Sequence, residues 1–248
     1  DALIAIGGED TLGVATQLHK KNFKVIGVPK TIDNDLSNTD YTFGFQTSVA
    51  IATEAVDRLH TTARSHHRVL VVEVMGRHAG WIALETGMAG DAAVTLIPEE
   101  KYDINQVATW VKKRFERDQY AIVVVAEGAQ PVAGSMKLPE YERDQIGRPR
   151  YGGICVAIAE EIEKRTGYES RVVQIGHVQR GGTPTAYDRI LSTRFGLAAV
   201  DALHNGAVGH MVALRSSQVT TVALSEIVNK ERPIDMSLFH EIGSVFFG

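Results

Sequence analysis

Ala2-Leu3-Ile4-Ala5-Ile6-Gly7-Gly8-Glu9-Asp10-Thr11-Leu12 is a short apolar run that breaks at two glycines and passes into an amphipathic stretch. Residues 2–6 read as a buried parallel strand, and 12–21 as the helix that follows it. The next apolar run, Val25-Ile26-Gly27-Val28, reads as a second strand. Strand, glycine turn, helix and strand predict a parallel sheet covered by helices. Paired glycines let a backbone approach an anion closely, and a helix N-terminus offers oriented N–H groups to phosphate oxygens. From this segment alone, a plain strand-to-helix turn with Asp10 or Thr11 as N-cap reads equally well. Neither G-x-G-x-x-G nor G-x-x-x-x-G-K-[ST] is present, so the usual dinucleotide and P-loop signatures are absent.

The alternation continues. Strands are predicted near 2–6, 24–28, 68–74, 93–97, 120–126, 171–175 and 210–214. Helices are predicted near 12–21, 45–64, 78–89, 104–117, 152–166, 186–204 and 221–230. The fold class is therefore α/β. The irregular stretch 130–153, with its Pro, Gly and charges, is expected to be a surface loop. With 248 residues, 44% of them hydrophobic, the chain can bury a substantial core in two lobes. A formal net charge of −4 with scattered basic residues argues against nucleic acid and membrane surfaces as partners. The single cysteine, Cys155, lies in an apolar run and can form no internal disulfide, which fits core packing in a reducing cytoplasm. No apolar stretch reaches transmembrane length.

Polar residues cluster where predicted strands end, which is where open α/β sheets bind ligands. After 25–28 comes Pro29-Lys30-Thr31-Ile32-Asp33-Asn34-Asp35. A carboxylate here can take a hydroxyl proton, a second can hold magnesium, and Thr and Lys can hold a moving phosphoryl group. Taken alone, the segment also reads as an Asx-rich turn. Arg77 follows one strand, Glu127 another, and Arg180 a third, so one convergent site is expected.

Five stretches, GGEDT (7–11), PKTIDND (29–35), HRVLVVEVMGRHAG (67–80), VVAEGA (124–129) and GHVQRGGTPTAYDR (176–189), together resemble 6-phosphofructokinases in the group spanning ATP- and pyrophosphate-dependent enzymes. The likeness runs in order from residue 1 to about 232. It implies a two-lobed α/β fold and magnesium-dependent phosphorylation of the 1-hydroxyl of fructose 6-phosphate in glycolysis. It also implies a cytoplasmic homo-oligomer, dimer or tetramer, with shared active sites. Residues 1–44 and 184–232 would form the phosphoryl-donor lobe, 45–183 and 233–248 the fructose 6-phosphate lobe, with the active site in the cleft between them. Family members carry a further N-terminal portion, with a first strand, a glycine-rich phosphate loop and a donor-binding arginine. The donor-lobe sheet is accordingly expected to be incomplete and to expose an unpaired edge.

Carried over residue by residue, the resemblance makes Asp33 the base and Thr31 a ligand of the transferred phosphoryl. Lys30 and Arg77 offset its charge. Gly7, Gly8, Glu9, Asp10 and Thr11 match the donor loop, and Glu9 and Asp35 the magnesium position. Thr31, Ile32, Asp33, Met75, Gly76, Arg77, Glu127, His177, Val178, Gln179 and Arg180 match the sugar-phosphate site. Arg68 and Arg171 match arginines lent to the 6-phosphate by a neighbouring subunit. Guanidinium forks suit phosphate, and Glu127 can accept from sugar hydroxyls.

Two substitutions bear on the donor. ATP-using relatives carry Gly where this chain has Asp10 and Lys30. A carboxylate about 4 Å from a phosphate oxygen costs roughly 4 kcal/mol at an effective dielectric near 20, so Asp10 disfavours an α-phosphate. Lys30 adds a cation beside the transferred group. Pyrophosphate is the expected donor, with an ATP-dependent enzyme or a silent regulatory subunit as alternatives; an NAD-binding protein with other chemistry is disfavoured, because this chain lacks the dinucleotide fingerprint such a protein would carry. At positions matching the bacterial effector site stand His60, Ala93, Glu116 and Asp118. Carboxylates in place of cations are expected to repel a phosphorylated effector.

Overall fold

A computed structural model describes residues 1–138, 143, 147, 151–228 and 230–247. They fall into two compact units, Asp1–Thr47 with Thr183–Arg232, and Ser48–Gly182 with Pro233–Gly248.

The first unit holds β1 (Leu3–Gly7), α1 (Glu9–Lys20), β2 (Val25–Thr31) and the short β3 (Phe43–Gly44). After the second unit's residues come α6 (Ala186–His204), β8 (His210–Arg215) and β9 (Gln218–Ala223). The sheet runs β1-β2-β8-β9, with β3 beside the end of β2. All pairs are parallel except β8 with β9. Residues alternate across β2. Val25 joins Leu12 and Met211 on the α1 side, while Ile26 and Val28 join Leu191 and Phe195 on the α6 side. Each fully buried aliphatic side chain of this kind contributes about 1.5–3 kcal/mol. Between them Gly27 allows close packing: a Cβ there would stand 2.9 Å from Leu12 Cδ2, so any other residue would force its neighbours to shift. β1 is an edge, with Leu3 and Ile6 exposed.

The second unit contains most of α2 (Phe45–His66), then β4 (Val69–Val74), α3 (Trp81–Ala89), β5 (Val94–Leu96), α4 (Ile104–Asp118) and β6 (Ala121–Ala126). It continues with α5 (Ile154–Thr166), β7 (Ser170–Gln174), a 3-10 turn over Gly176–Arg180, and α7 (Met236–Phe246). Its sheet, β5-β6-β4-β7, is wholly parallel. β4 and β6 are apolar nearly throughout and buried at every residue, as expected of strands covered on both faces. Val107, Val111 and Phe115 of α4 and Ile154, Ile158 and Ile162 of α5 pack on one face. Cys155 is buried there and its thiol is free.

The C-terminal part differs from expectation. The helix predicted near 221–230 is strand β9 followed by a short 3-10 turn, Leu224–Glu226. Val219 and Val222 share a helix-like spacing, but the β-branched run Val219-Thr220-Thr221-Val222 pairs along β8 through six residues. The hairpin turns on Ser216 and Ser217, both with positive φ, without the glycine or asparagine that announces such a turn. α7 was not anticipated; Asp235 caps it, accepting from Ser237 N at 2.9 Å. α3 begins at Trp81 rather than 78, because Gly76 and Arg77 take positive φ. α5 begins at Ile154, after Gly152 and Gly153, which do the same. Much of the loop expected over 130–153 lies outside the described residues. Its described start is held to α4: Ser135 Oγ accepts from Ile104 N at 2.8 Å, beside the N-cap Asp103, whose side chain accepts from Asn105 N.

Candidate active site

In the first unit β1 and β2 run in parallel with Gly7 opposite Pro29, so their carboxyl ends lie side by side. The two loops that follow abut, and a Cβ on Gly8 would stand 3.4 Å from Thr31 Cβ. Gly7 has no room for one, since it would meet Thr11 Oγ1 at 2.4 Å. α1 starts at Glu9 with Gly8 as N-cap, so Asp10 and Thr11 are first-turn residues rather than the cap. Its N-cap is glycine, which brings no side-chain cap of its own, and the helix's first N–H groups are oriented to receive an anion.

β2 extends through Thr31, further than predicted, and makes Lys30 an exposed strand residue. The loop beyond it, Ile32 to Asp35, is partly buried and tightly held. Asp33 N donates to Thr31 Oγ1 at 3.1 Å, which leaves the hydroxyl's own proton to donate elsewhere. Asn34 adopts φ +53 and is buried; its Oδ1 accepts from Thr42 N at 2.9 Å. Thr42 Oγ1 in turn donates to Thr31 O at 2.8 Å. Left-handed backbone is uncommon outside glycine but open to asparagine, so Asn34 turns the chain between the two aspartates. The sequence marked Asn34 only as part of an Asx-rich turn and did not mark Thr42.

Burial, then the neighbouring charges of Asp33, Glu9 and Glu231, push the Asp35 carboxyl up to about 7. Asp35 Oδ1 is buried without a hydrogen-bond partner. Among the described residues no group of three or more His, Cys, Asp or Glu side chains could hold a metal. Magnesium is commonly bound by one or two carboxylates together with substrate phosphates, and an orphaned carboxylate oxygen amid like charges fits that role.

In the second unit β4 ends in a sharp turn. Gly76 has φ +143, Arg77 φ +51, and Ala79 N donates to Gly76 O at 2.9 Å. Arg77 N donates to Glu127 Oε1 at 3.1 Å. Arg77 O lies 1.9 Å from where a Cβ on Gly128 would stand, so only glycine fits there. Met75 N donates to Gln179 Oε1 at 2.6 Å, and Gln179 Nε2 donates to Ser48 Oγ at 3.0 Å. Gln179 is buried, and its amide is engaged within the protein. Its place among the sugar-site residues is therefore that of a brace. His177, Val178 and Arg180, on the same 3-10 turn, are exposed. Met75, Glu127 and His177 line one cavity of about 240 Å³.

Arg68 and Arg171 are elsewhere in this unit. They stand at the amino ends of β4 and β7, whereas Met75 to Arg77 follow the carboxyl end of β4. Six strand residues span about 20 Å. The two arginines share Glu169, with Arg68 Nη2 at 2.9 Å from Oε1 and Arg171 also paired to it. The Arg68 hydrogen bond holds the Glu169 carboxyl below its ordinary value. At the effector positions Ala93 is fully buried, and His60 Nε2 contacts Gly90 O at 2.8 Å. Asp118 is paired with Arg117 and Arg114, so it is not the repelling carboxylate expected there.

Residues 1–203 match the family profile described as phosphofructokinase. Over its whole length the chain is 60% identical to a pyrophosphate–fructose 6-phosphate 1-phosphotransferase of Amycolatopsis mediterranei, covering 72% of that protein. It is 52% identical, with the same coverage, to an ATP-dependent 6-phosphofructokinase of Mycobacterium tuberculosis. Among solved structures it resembles a pyrophosphate-dependent phosphofructokinase from Marinobacter aquaeolei, with TM-score 0.78 and 27% identity, over 94% of this chain and 61% of that one. The chain belongs to the phosphofructokinase family.

Proposed function

We propose that the protein transfers a phosphoryl group between pyrophosphate and the 1-hydroxyl of fructose 6-phosphate, reversibly and with magnesium. The observation that carries this is the pair of abutting loops at the ends of β1 and β2. A helix N-terminus with a glycine N-cap lies there beside Thr31 and the Asp33-Asn34-Asp35 turn. The identity to the Amycolatopsis enzyme supports it.

In this reading the first unit serves the phosphoryl donor and the second the sugar phosphate. Asp33 takes the proton of the attacking hydroxyl. Thr31 donates its hydroxyl proton to the transferred group, and Lys30 and Arg77 offset charge that grows on its oxygens. The N–H groups of Gly8 to Thr11 hold the donor. Magnesium, bound by Glu9, Asp35 and donor oxygens, would neutralise phosphate charge. Met75, Glu127, His177 and Arg180 bind the sugar phosphate. Arg68 and Arg171, remote from Arg77 within the unit, serve a second copy of the chain, so the active form is a homo-oligomer. A cytoplasmic location is part of the proposal, supported by the lone, buried Cys155 thiol.

The second reading, ATP as donor, is favoured by the 52% identity to the mycobacterial enzyme. Turnover measured side by side with pyrophosphate and with ATP separates them. We expect pyrophosphate to be much the better donor and phosphate to support the reverse reaction; a preference for ATP overturns the donor assignment.

A further inference from the structure

Glu73 is a carboxylate within a fully buried strand, and no role above uses it. Its side-chain oxygens accept from Gly153 N at 3.1 and 3.0 Å, from Cys155 N at 3.0 Å and from Gln174 Nε2 at 2.9 Å. Its main-chain carbonyl accepts from Ile175 N at 3.1 Å. Three elements thus meet on one residue: β4, the start of α5 and the end of β7. A buried charge is costly unless donors surround it, and here three N–H groups do so, two of them from the N-terminal end of α5.

The carboxylate also fixes a turn that would otherwise be loose. Gly152 and Gly153 take φ +139 and +92, a region where glycine is free but not self-locking. Tyr151 immediately precedes them. Its hydroxyl lies 3.3 Å from His78 Nδ1, and the two rings meet edge to face at 5.6 Å. Glu73, Tyr151 and Gln174 line the same 240 Å³ cavity as Met75, Glu127 and His177.

We propose that Glu73 is a positioning residue of the sugar-phosphate pocket, and that the turn it anchors presents Tyr151 as a further wall against the sugar. The carboxylate acts through its neighbours and does not touch the reacting atoms. Loss of it lets the start of α5 move away from β4, and Tyr151 and His177 lose their common setting. This rests on the phosphofructokinase reading above.

Kinetics of Glu73→Gln in the active enzyme test the idea, because the amide turns an NH₂ group toward N–H donors. We expect KM for fructose 6-phosphate to rise about tenfold, with KM for pyrophosphate changed less than about twofold and kcat less than about threefold. Glu73→Asp, which keeps the charge, should recover part of the sugar affinity. Gln174→Met removes one donor at an exposed position and gives the same readout should Glu73→Gln fail to fold; its sugar KM should rise about threefold. An unchanged sugar KM in a folded variant, or equal rises for both substrates, overturns the proposal. No turnover by the unsubstituted enzyme would instead overturn the phosphofructokinase reading.

Discussion

The main-chain N–H of Arg77 donates to Glu127 Oε1 at 3.1 Å, and the carbonyl of the same residue rests on Gly128. The ends of β4 and β6 are thereby joined through one arginine held at φ +51. Such a conformation costs of order 1–3 kcal/mol for a residue other than glycine, and Glu127 offsets part of that. Glu127→Ala should raise KM for fructose 6-phosphate and lower turnover, together by about a hundredfold in kcat/KM. Glu127→Gln keeps an acceptor for Arg77 N and should melt near the unsubstituted temperature. Gly128→Ala should destabilise by about 1–3 kcal/mol, because the Arg77 carbonyl must move. Thermal melts and steady-state kinetics of the three variants check this; a normal melt for Gly128→Ala would show the turn to be tolerant.

Asp33→Asn should lower turnover by roughly 10²–10⁴ while sugar-phosphate binding, read by calorimetry, changes little. Arg171→Ala should be inactive for a different reason, loss of a group given to a second copy. Mixing the two under conditions of subunit exchange should restore activity. Hybrids proven to form yet no more active than either parent would remove Arg171 from a shared site.

Asp10 lies in the first turn of α1 and Lys30 on the exposed end of β2, beyond loops that already touch. Asp10→Gly should allow ATP some productive binding, and Lys30→Gly should mainly damage pyrophosphate use. The double variant should favour ATP further than either single change, and neighbouring changes need not add. Donor kcat/KM ratios for the three variants decide it; no shift in any of them sinks the assignment.

The raised carboxyl of Asp35 gives a pH dependence with a definite sign. Its folded value, about 7, lies above the ordinary 3.8, so the folded state favours the protonated form. That contribution is complete below the ordinary value and is lost as pH rises toward the folded one. Without magnesium the protein should therefore melt several degrees lower at about pH 8 than at about pH 5, other groups aside. Asp35→Asn should flatten that difference. Added magnesium should raise the melting temperature more at the higher pH. Equal magnesium effects on Asp35→Asn and the unsubstituted protein would exclude Asp35 as a ligand.

Much of the fold was legible because β6 is an unbroken apolar run, β4 is interrupted only by Glu73, and each predicted strand break carries glycine, proline or charge. What escaped were features decided by partners distant in sequence. β9 is a strand because β8 lies beside it. The motif residues were visible, but not how they are used. Gln179 points inward to Met75 N, and Asn34 supplies handedness rather than a ligand. The separation of Arg68 and Arg171 from Arg77 follows from strand direction alone, once the sheet is known to be parallel.

The first unit's sheet has a consequence for how the chain acquires its structure. Ile26 pairs with His210, so β2, already beside β1, gains its other neighbour only from a strand made after the whole of residues 48–182. The second unit's four strands lie within that continuous interval. Short loops close before long ones, and domains form as the chain emerges. During synthesis the second unit's continuous segment should gain its sheet first and the first unit complete its own sheet later, with α7 docking last. Pulse-labelled hydrogen exchange during refolding should find β4 and β6 protected before β2 and β8. Simultaneous protection would mean that the two units gain order as one.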